Sequence, residues 1–268
     1  MDGVISLGPL MIATDRALAL VAIWSFLGIG GLVGAKTGSR AGRAAWLAVL
    51  VGIVAARAGF IFQNVDAFSV EPWATLAIWQ GGFAPLVGVA AAALTIAIML
   101  GRQAASGLML LALAALTIAH AGVSAALAPE PRPFPARLDV RALTGGTLAL
   151  DGLRGRPFVI NLWATWCPPC RREMPMVIEV AEASGIPVLL VNQGESLARV
   201  RSYLAAHRLS AKTIALDPWQ RVATATGAGA LPTTLFVDGD ARIVNRHAGE
   251  ISRAGLSAAI RDLQAGAQ

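Results

Sequence analysis

Two different hydrophobic patterns divide the chain. In the first half, residues 17–35, 44–63, 83–100 and 106–128 form four nearly uninterrupted apolar runs. Each approaches the roughly 20 residues that cross a bilayer as a helix, so an all-α bundle of four transmembrane helices is predicted over residues 1–128. Lys36, Arg40 and Arg43 lie between the first two runs and Arg102 between the last two, whereas the connection NVDAFSVEPW (64–73) has Asp66 and Glu71 and no basic residue. The positive-inside rule then places the first and third connections in the cytoplasm and both termini on the opposite side of an inner membrane. Asp2 and Asp15 precede the first run, and three more runs follow it, which argues against a cleaved signal peptide.

After residue 128 the pattern changes. APEPRPFPAR (128–137) has four prolines and predicts a short stiff linker over 129–137. Over 138–268, short apolar segments alternate with amphipathic ones. RPFVINLWA, IPVLLVN, TTLFVD and ARIVNRH read as strands, the last two joined by the turn DGDA. Helices are predicted from about Pro168, over 196–208 and from Ser252, with Pro175 expected to kink the first. Such an alternation builds an α/β domain around one sheet, which holds its ligands beyond the carboxyl ends of its strands.

Composition sharpens the division. Hydrophobic residues make up 56% of the chain and charged ones 14%, a balance typical of membrane proteins. Of the charged residues, ten precede residue 128 and 28 follow it. The net charge of +6 is scattered, with no basic run interleaved with aromatics, so a nucleic-acid partner is not expected.

Candidate chemistry sits in NLWATWCPPCRREMP (161–175), which has the only two cysteines of the 268 residues, Cys167 and Cys170. A first cysteine at a helix N-terminus is stabilised as thiolate by unpaired N–H groups and the helix dipole. Prolines in the first turn cost nothing, because their missing N–H would be unpaired anyway. Cys167 is therefore the expected attacking thiol, and Cys170, one turn deeper, the resolving one. A disulfide closing so small a loop constrains the unfolded chain little, and the ligands for a zinc site are missing from the sequence. Redox cycling is the better account.

WATWCPPCRREMP, VLLVNQGES, LDPWQRVATATGAGALPTTLFVDGDARIV and HAGEIS, in that order, resemble the thioredoxin-fold disulfide reductases of the TlpA/ResA type. The resemblance implies a thioredoxin-like domain and a membrane-anchored, extracytoplasmic (periplasmic) thiol-disulfide oxidoreductase working as a protein-disulfide reductase, in cytochrome c maturation or related thiol maintenance. It matches Glu173 to the acidic residue three places after the second cysteine, on that cysteine's face of the helix, where it could take the Cys170 proton. Pro232 matches the cis-proline facing the dithiol, and the backbone of Leu231 would pair with an incoming peptide. Trp163 and Trp166 are expected to pack and shield, Asn192 and Glu195 to form a loop and cap, and His207 and His247 to be structural. Implied partners are protein disulfides and a membrane thiol donor of the CcdA/DsbD kind, since the helices have no cysteine to relay electrons. A disulfide-introducing oxidase, a peroxiredoxin-like peroxidase and a thiol or copper chaperone are the competing readings. No cofactor is implied.

ISLGPLMI, ARAGFIFQN and IWQGGFAPLVG in the membrane half resemble the opening portion of prolipoprotein diacylglyceryl transferase. Leu86 stands where that family has its functional histidine, and Asp15 where a tyrosine is expected, so the half reads as truncated and degenerate. Arg57 and His120 lie inside apolar runs, where ionisable groups suggest function. A lipid-binding remnant at Arg57, serving as anchor or docking surface in the lipid bilayer, is the preferred reading, and an Arg57 that snorkels or pairs within the bundle is the alternative.

Overall fold

The computed structural model describes residues 4–7, 10–127 and 130–266, which divide into two compact units. The termini and residues 128–129, at the start of the expected linker, lie outside the described residues.

The first unit opens with an antiparallel hairpin, β1 (Val4–Leu7) and β2 (Leu10–Ala13). Helices α1 (Thr14–Thr37), α2 (Ala41–Gln63), α3 (Val65–Val70), α4 (Pro85–Leu100) and α5 (Ala104–Ala126) follow. Three stretches, Arg16–Thr37, Ala41–Gln63 and Ala104–Ala126, are long and apolar enough to cross a membrane. The run expected over 83–100 forms only the 16-residue α4, about 24 Å at 1.5 Å per residue, short of the roughly 30 Å hydrocarbon core. The cause is local. Gly82 has φ +83°, a Cβ there would come within 2.4 Å of the Phe60 ring, and Pro85 opens the helix at its first turn.

Small residues let these helices approach closely. A Cβ on Gly88 of α4 would lie 2.8 Å from the Gly52 carbonyl of α2, and one on Gly30 of α1 would lie 2.5 Å from Ala45 Cβ. This small-residue packing is how helices associate where lipid removes the hydrophobic drive. Outward residues such as Leu50, Ile98, Leu111 and Ile118 are exposed apolar groups.

The second unit has β3 (Arg132–Pro133), β4 (Asp139–Ala142), β5 (Thr147–Ala149), β6 (Phe158–Trp163), α6 (Pro168–Ala183), β7 (Val188–Gln193), α7 (Leu197–Ala206), β8 (Ile214–Asp217), α8 (Arg221–Thr226), β9 (Thr233–Val237), β10 (Arg242–Ala248) and α9 (Arg253–Ala265). One sheet orders the strands β3-β10-β9-β6-β7-β8-β4-β5. β6, β7 and β8 run parallel, and β9 runs antiparallel to β6. All six residues of β6 are buried, as expected of a central strand covered on both faces. Val159 and Trp163 join a core with Met174, Val177, Leu256 and Ile260 beneath α6 and α9. Phe158, Ile160 and Leu162 join the opposite core with Phe134, Leu150 and Val222.

The linker expectation is corrected at its C-terminal end. Arg132 and Pro133 pair with β10, Phe134 is buried against Phe158 at 5.3 Å between ring centroids, and its N–H donates to the Ala241 carbonyl at 2.7 Å. One bulky aromatic among the prolines suffices to fasten the stretch to the core. The sequence pattern also missed the β4–β5 hairpin and β8, whose three or four residues are too few to show a period. α6 includes Pro175 and continues to Ala183.

Candidate active site

The strand β6 ends at Trp163, and four residues later Cys167 is the N-cap of α6, with Pro168 and Pro169 opening the helix. Cys167 Sγ accepts the Cys170 N–H at 3.3 Å, so the first cysteine sits at the unpaired amide end of the helix as its residue pattern requires. The two sulfurs are joined in a disulfide, with Cα atoms 5.3 Å apart. In this disulfide state Cys167 is 3% exposed and Cys170 0%. What surface the pair retains belongs to Cys167. Trp166, immediately before it, is 62% exposed, whereas Trp163 is fully buried.

Glu173 lies one turn beyond Cys170 on α6 and is 4% exposed. Its Oε1 accepts from Asn161 Nδ2 at 3.0 Å and its Oε2 from the Ile251 N–H at 2.8 Å. Burial outweighs these two bonds and pushes its carboxyl from the ordinary 4.5 up to about 7. The Glu250 charge adds to the rise, and Arg172, which pairs with Glu250 at 2.6 Å, opposes it. Near neutral pH this carboxyl can both hold and release a proton.

The Leu231–Pro232 bond is cis. The register of β9 on β6 sets Thr233 opposite Leu162, which brings Pro232 and Leu231 to the end of β6 where the WATWC segment begins. Leu231 is half-buried and packs against both cores. Cys167, Cys170, Glu173, Pro232, Leu231 and Trp166 are thus gathered at one edge of the sheet. Arg57 belongs to the other unit. Its Nε, Nη1 and Nη2 donate to the carbonyls of Thr75, Gly82 and Ala74 at 3.2, 2.9 and 2.6 Å, between the rings of Phe68 and Phe83. These backbone partners were not foreseen from sequence. They make Arg57 a staple for the segment between α3 and α4, which has two short 3-10 turns, Pro72–Leu76 and Ile78–Gln80, and an irregular stretch before Pro85.

Two residues gain weight that sequence reasoning gave them only in part or not at all. Asn161 bridges Glu173 and Thr234 Oγ1; a lone amide in the otherwise apolar strand VINLW was the available signal. Glu195, expected to serve a loop and cap, is a buried carboxylate clamped on the cysteine loop. It accepts from Thr165 N at 2.7 Å, Thr165 Oγ1 at 2.5 Å and Asn192 Nδ2 at 2.8 Å, and pairs with Arg199 at 3.0 Å. Nothing in the spacing of Glu195 and Thr165, thirty residues apart, announces that clamp.

Residues 130–260 match the Redoxin family. A thiol:disulfide interchange protein DsbE homolog of Paracoccus denitrificans is 33% identical over 157 residues, covering 54% of this chain and 87% of its own. The thiol-disulfide oxidoreductase ResA of Bacillus thuringiensis is 28% identical over 127 residues, 46% of this chain and 73% of its own. A solved thioredoxin-family thiol:disulfide interchange protein from Chlorobium tepidum, 22% identical, aligns with 50% of this chain and 97% of its own at a TM-score of 0.44. With a dithiol at the head of α6, a thioredoxin-like sheet beneath it and a DsbE relative covered over most of its length, the chain belongs to the DsbE/ResA-type thiol-disulfide oxidoreductases.

Proposed function

We propose that this oxidoreductase is a membrane-anchored reductase of extracytoplasmic protein disulfides, in which Cys167 attacks, Cys170 resolves and Glu173 handles the proton. The observation that carries the reading is the buried Glu173 carboxyl, raised to about 7 and one turn from Cys170. The Cys167 thiolate attacks a partner disulfide, forms a mixed disulfide and expels one partner thiolate. Cys170 gives its proton to the Glu173 carboxylate and attacks Cys167 Sγ, and the second partner thiolate leaves. Two electrons have then passed to the partner, and the enzyme holds the Cys167–Cys170 disulfide. The register of β9 on β6 supports a place for the partner peptide along Leu231, before the cis-Pro232.

The first unit serves as the multi-pass anchor in the inner membrane. α4, continued by the non-helical residues 83–84, adds a crossing to the three longer helices, so both termini and the redox domain are extracytoplasmic. The anchor is the truncated relic of a diacylglyceryl-transferase-like region. A membrane thiol transporter of the CcdA/DsbD kind re-reduces the dithiol, and cytochrome c maturation is one process it would serve.

Cysteine variants test the mechanism. Cys167→Ala abolishes reduction of insulin disulfides, and Cys170→Ala accumulates a mixed disulfide with the substrate. Alkylation at limiting reagent that labels Cys170 of the reduced enzyme before Cys167 reverses the assignment. The reduction potential decides direction: a value more oxidising than that of the partner disulfides makes the enzyme an oxidase.

A further inference from the structure

Trp219 has no part in the chemistry above, yet it is 77% exposed in the loop after β8. Because β6, β7 and β8 are parallel neighbours, the loops that follow them share one edge of the sheet. Those loops are bonded into a single rim. Gly194, after β7, donates its N–H to the Asp217 carbonyl at 3.0 Å. Its φ of +76° favours glycine, and the Gln220 amide lies 2.6 Å from where a Cβ would stand, so the two loops are in close contact. The next residue, Glu195, holds Thr165 by its N–H and hydroxyl, and Thr165 leads directly into Trp166 and Cys167. Asp217 in turn accepts the Arg221 and Val222 N–H groups at 3.0 and 2.8 Å, which fixes the segment around Trp219. Two exposed indoles therefore stand on one hydrogen-bonded rim, Trp166 beside the reactive sulfur and Trp219 two strands away.

We propose that Trp219 and Trp166 form a docking platform for a partner polypeptide that presents an apolar side chain a few residues from its reactive cysteine. This rests on Cys167 being the sulfur that partners meet. Two inter-strand spacings are roughly 10 Å, which an extended chain covers in about three residues. A partner cysteine over Cys167 would thus bring its third neighbour on one side against Trp219. Large rigid aromatics bury much area at low entropic cost and recur as binding anchors. The platform adjoins the dithiol, and a bilayer seated on it would cover the sulfur that must meet proteins, so a polypeptide is the occupant.

The test uses the reduced full-length protein in neutral detergent and peptides whose single cysteine is held as a mixed disulfide with glutathione. Leucine or serine is placed three residues before or after the cysteine, and oxidised glutathione serves as the small substrate. The wild type is expected to react faster with one leucine peptide than with its serine counterpart. Trp219→Ala removes about tenfold of that rate, as loss of an interface anchor does. Trp219→Phe restores most of it, and the rate with oxidised glutathione stays unchanged in both variants. Equal rates for leucine and serine peptides, or an unaltered preference in Trp219→Ala, overturn the platform and leave the oxidoreductase reading intact. Failure to react even with oxidised glutathione overturns both. Quenching of Trp219 fluorescence by brominated lipid in nanodiscs, relieved in Trp219→Phe, assigns the indole to the bilayer and overturns the proposal as well.

Discussion

Replacing Glu173 with glutamine isolates the role of one buried charge. The carboxyl is raised from 4.5 to about 7, with burial as the main cause. A shift of about 2.5 units at 1.36 kcal/mol each means that holding the charged form costs about 3 kcal/mol in the folded state. The folded protein binds this proton more tightly than the unfolded chain does. The stabilising contribution is therefore complete below about pH 4.5, declines as the pH rises, and is lost once the pH passes about 7. Glutamine fills the same volume and does not titrate. It can still accept the Ile251 N–H, and a flipped Asn161 can present its oxygen to the new amide, an exchange worth on the order of 1 kcal/mol and independent of pH.

The stability difference between Glu173→Gln and wild type should accordingly change by about 3 kcal/mol between pH 4.5 and pH 8, with the variant gaining at high pH. Native-state hydrogen exchange over β6 and α6 in the oxidised full-length protein, corrected for intrinsic rates, measures it without denaturing the membrane unit. If Glu173 takes the Cys170 proton as proposed, the same variant should resolve mixed disulfides more slowly. Higher stability joined to lower activity is the mark of a group kept in an unfavourable state for function. A stability difference that stays flat from pH 4.5 to pH 8 would refute the reasoning, because Glu173 would then not titrate in that range.

Other outcomes follow from the clamps and the topology. Glu195→Ala leaves Thr165 N–H and Asn192 Nδ2 as buried donors and should cost about 2–4 kcal/mol in the same exchange measurement, with Glu195→Gln recovering much of it. A reporter active only outside the cytoplasm should work when fused after Gln268 or within residues 64–73 and fail within 36–43; activity in that last loop would reverse the orientation. Exchanging residues 1–128 for an unrelated single helix should leave insulin reduction by the purified protein intact. In cells, the same chimera should accumulate its Cys167–Cys170 pair oxidised, and a chimera as reduced as wild type at matched abundance would limit the helices to anchoring.

Local rules made the redox half legible. Each strand named from its apolar run is present, because a strand covered on both faces, such as β6, has to be written in apolar residues. The Cys-Pro-Pro-Cys segment specifies its own helix start, so the place of Cys167 at the N-cap followed from residue types alone. Asn161, Glu195 and Thr234 were opaque for the opposite reason. Their partners lie on other elements, 12, 30 and 73 residues away, and no periodicity encodes which carboxylate a folded chain will bring beneath which loop. Phe134 shows the same limit from the apolar side: a proline-rich segment looks like a spacer until the cavity that takes its one aromatic is known.

Arg57 changes meaning most between sequence and structure. A lone arginine in an apolar run suggests function because its donors need partners that lipid cannot supply. Here the backbone supplies them. The chain between α3 and α4 leaves α-helix for two short 3-10 turns and an irregular stretch; the Ala74 carbonyl also takes the Ala77 N–H at 3.2 Å, but those of Thr75 and Gly82 would be costly to leave unbonded in a membrane. One guanidinium meets all three, and Gly82, with φ +83° and the Phe60 ring against it, allows the chain to turn close enough. The arginine and the broken helix therefore account for each other, with no anionic headgroup required. Arg57→Ala should lower the thermal stability of the detergent-solubilised protein by on the order of 2 kcal/mol, about 1 for each of the Thr75 and Gly82 carbonyls that lose their donor. Loss of function in that variant would then report the collapse of the α3–α4 segment, which makes it unsuitable as a probe of lipid recognition.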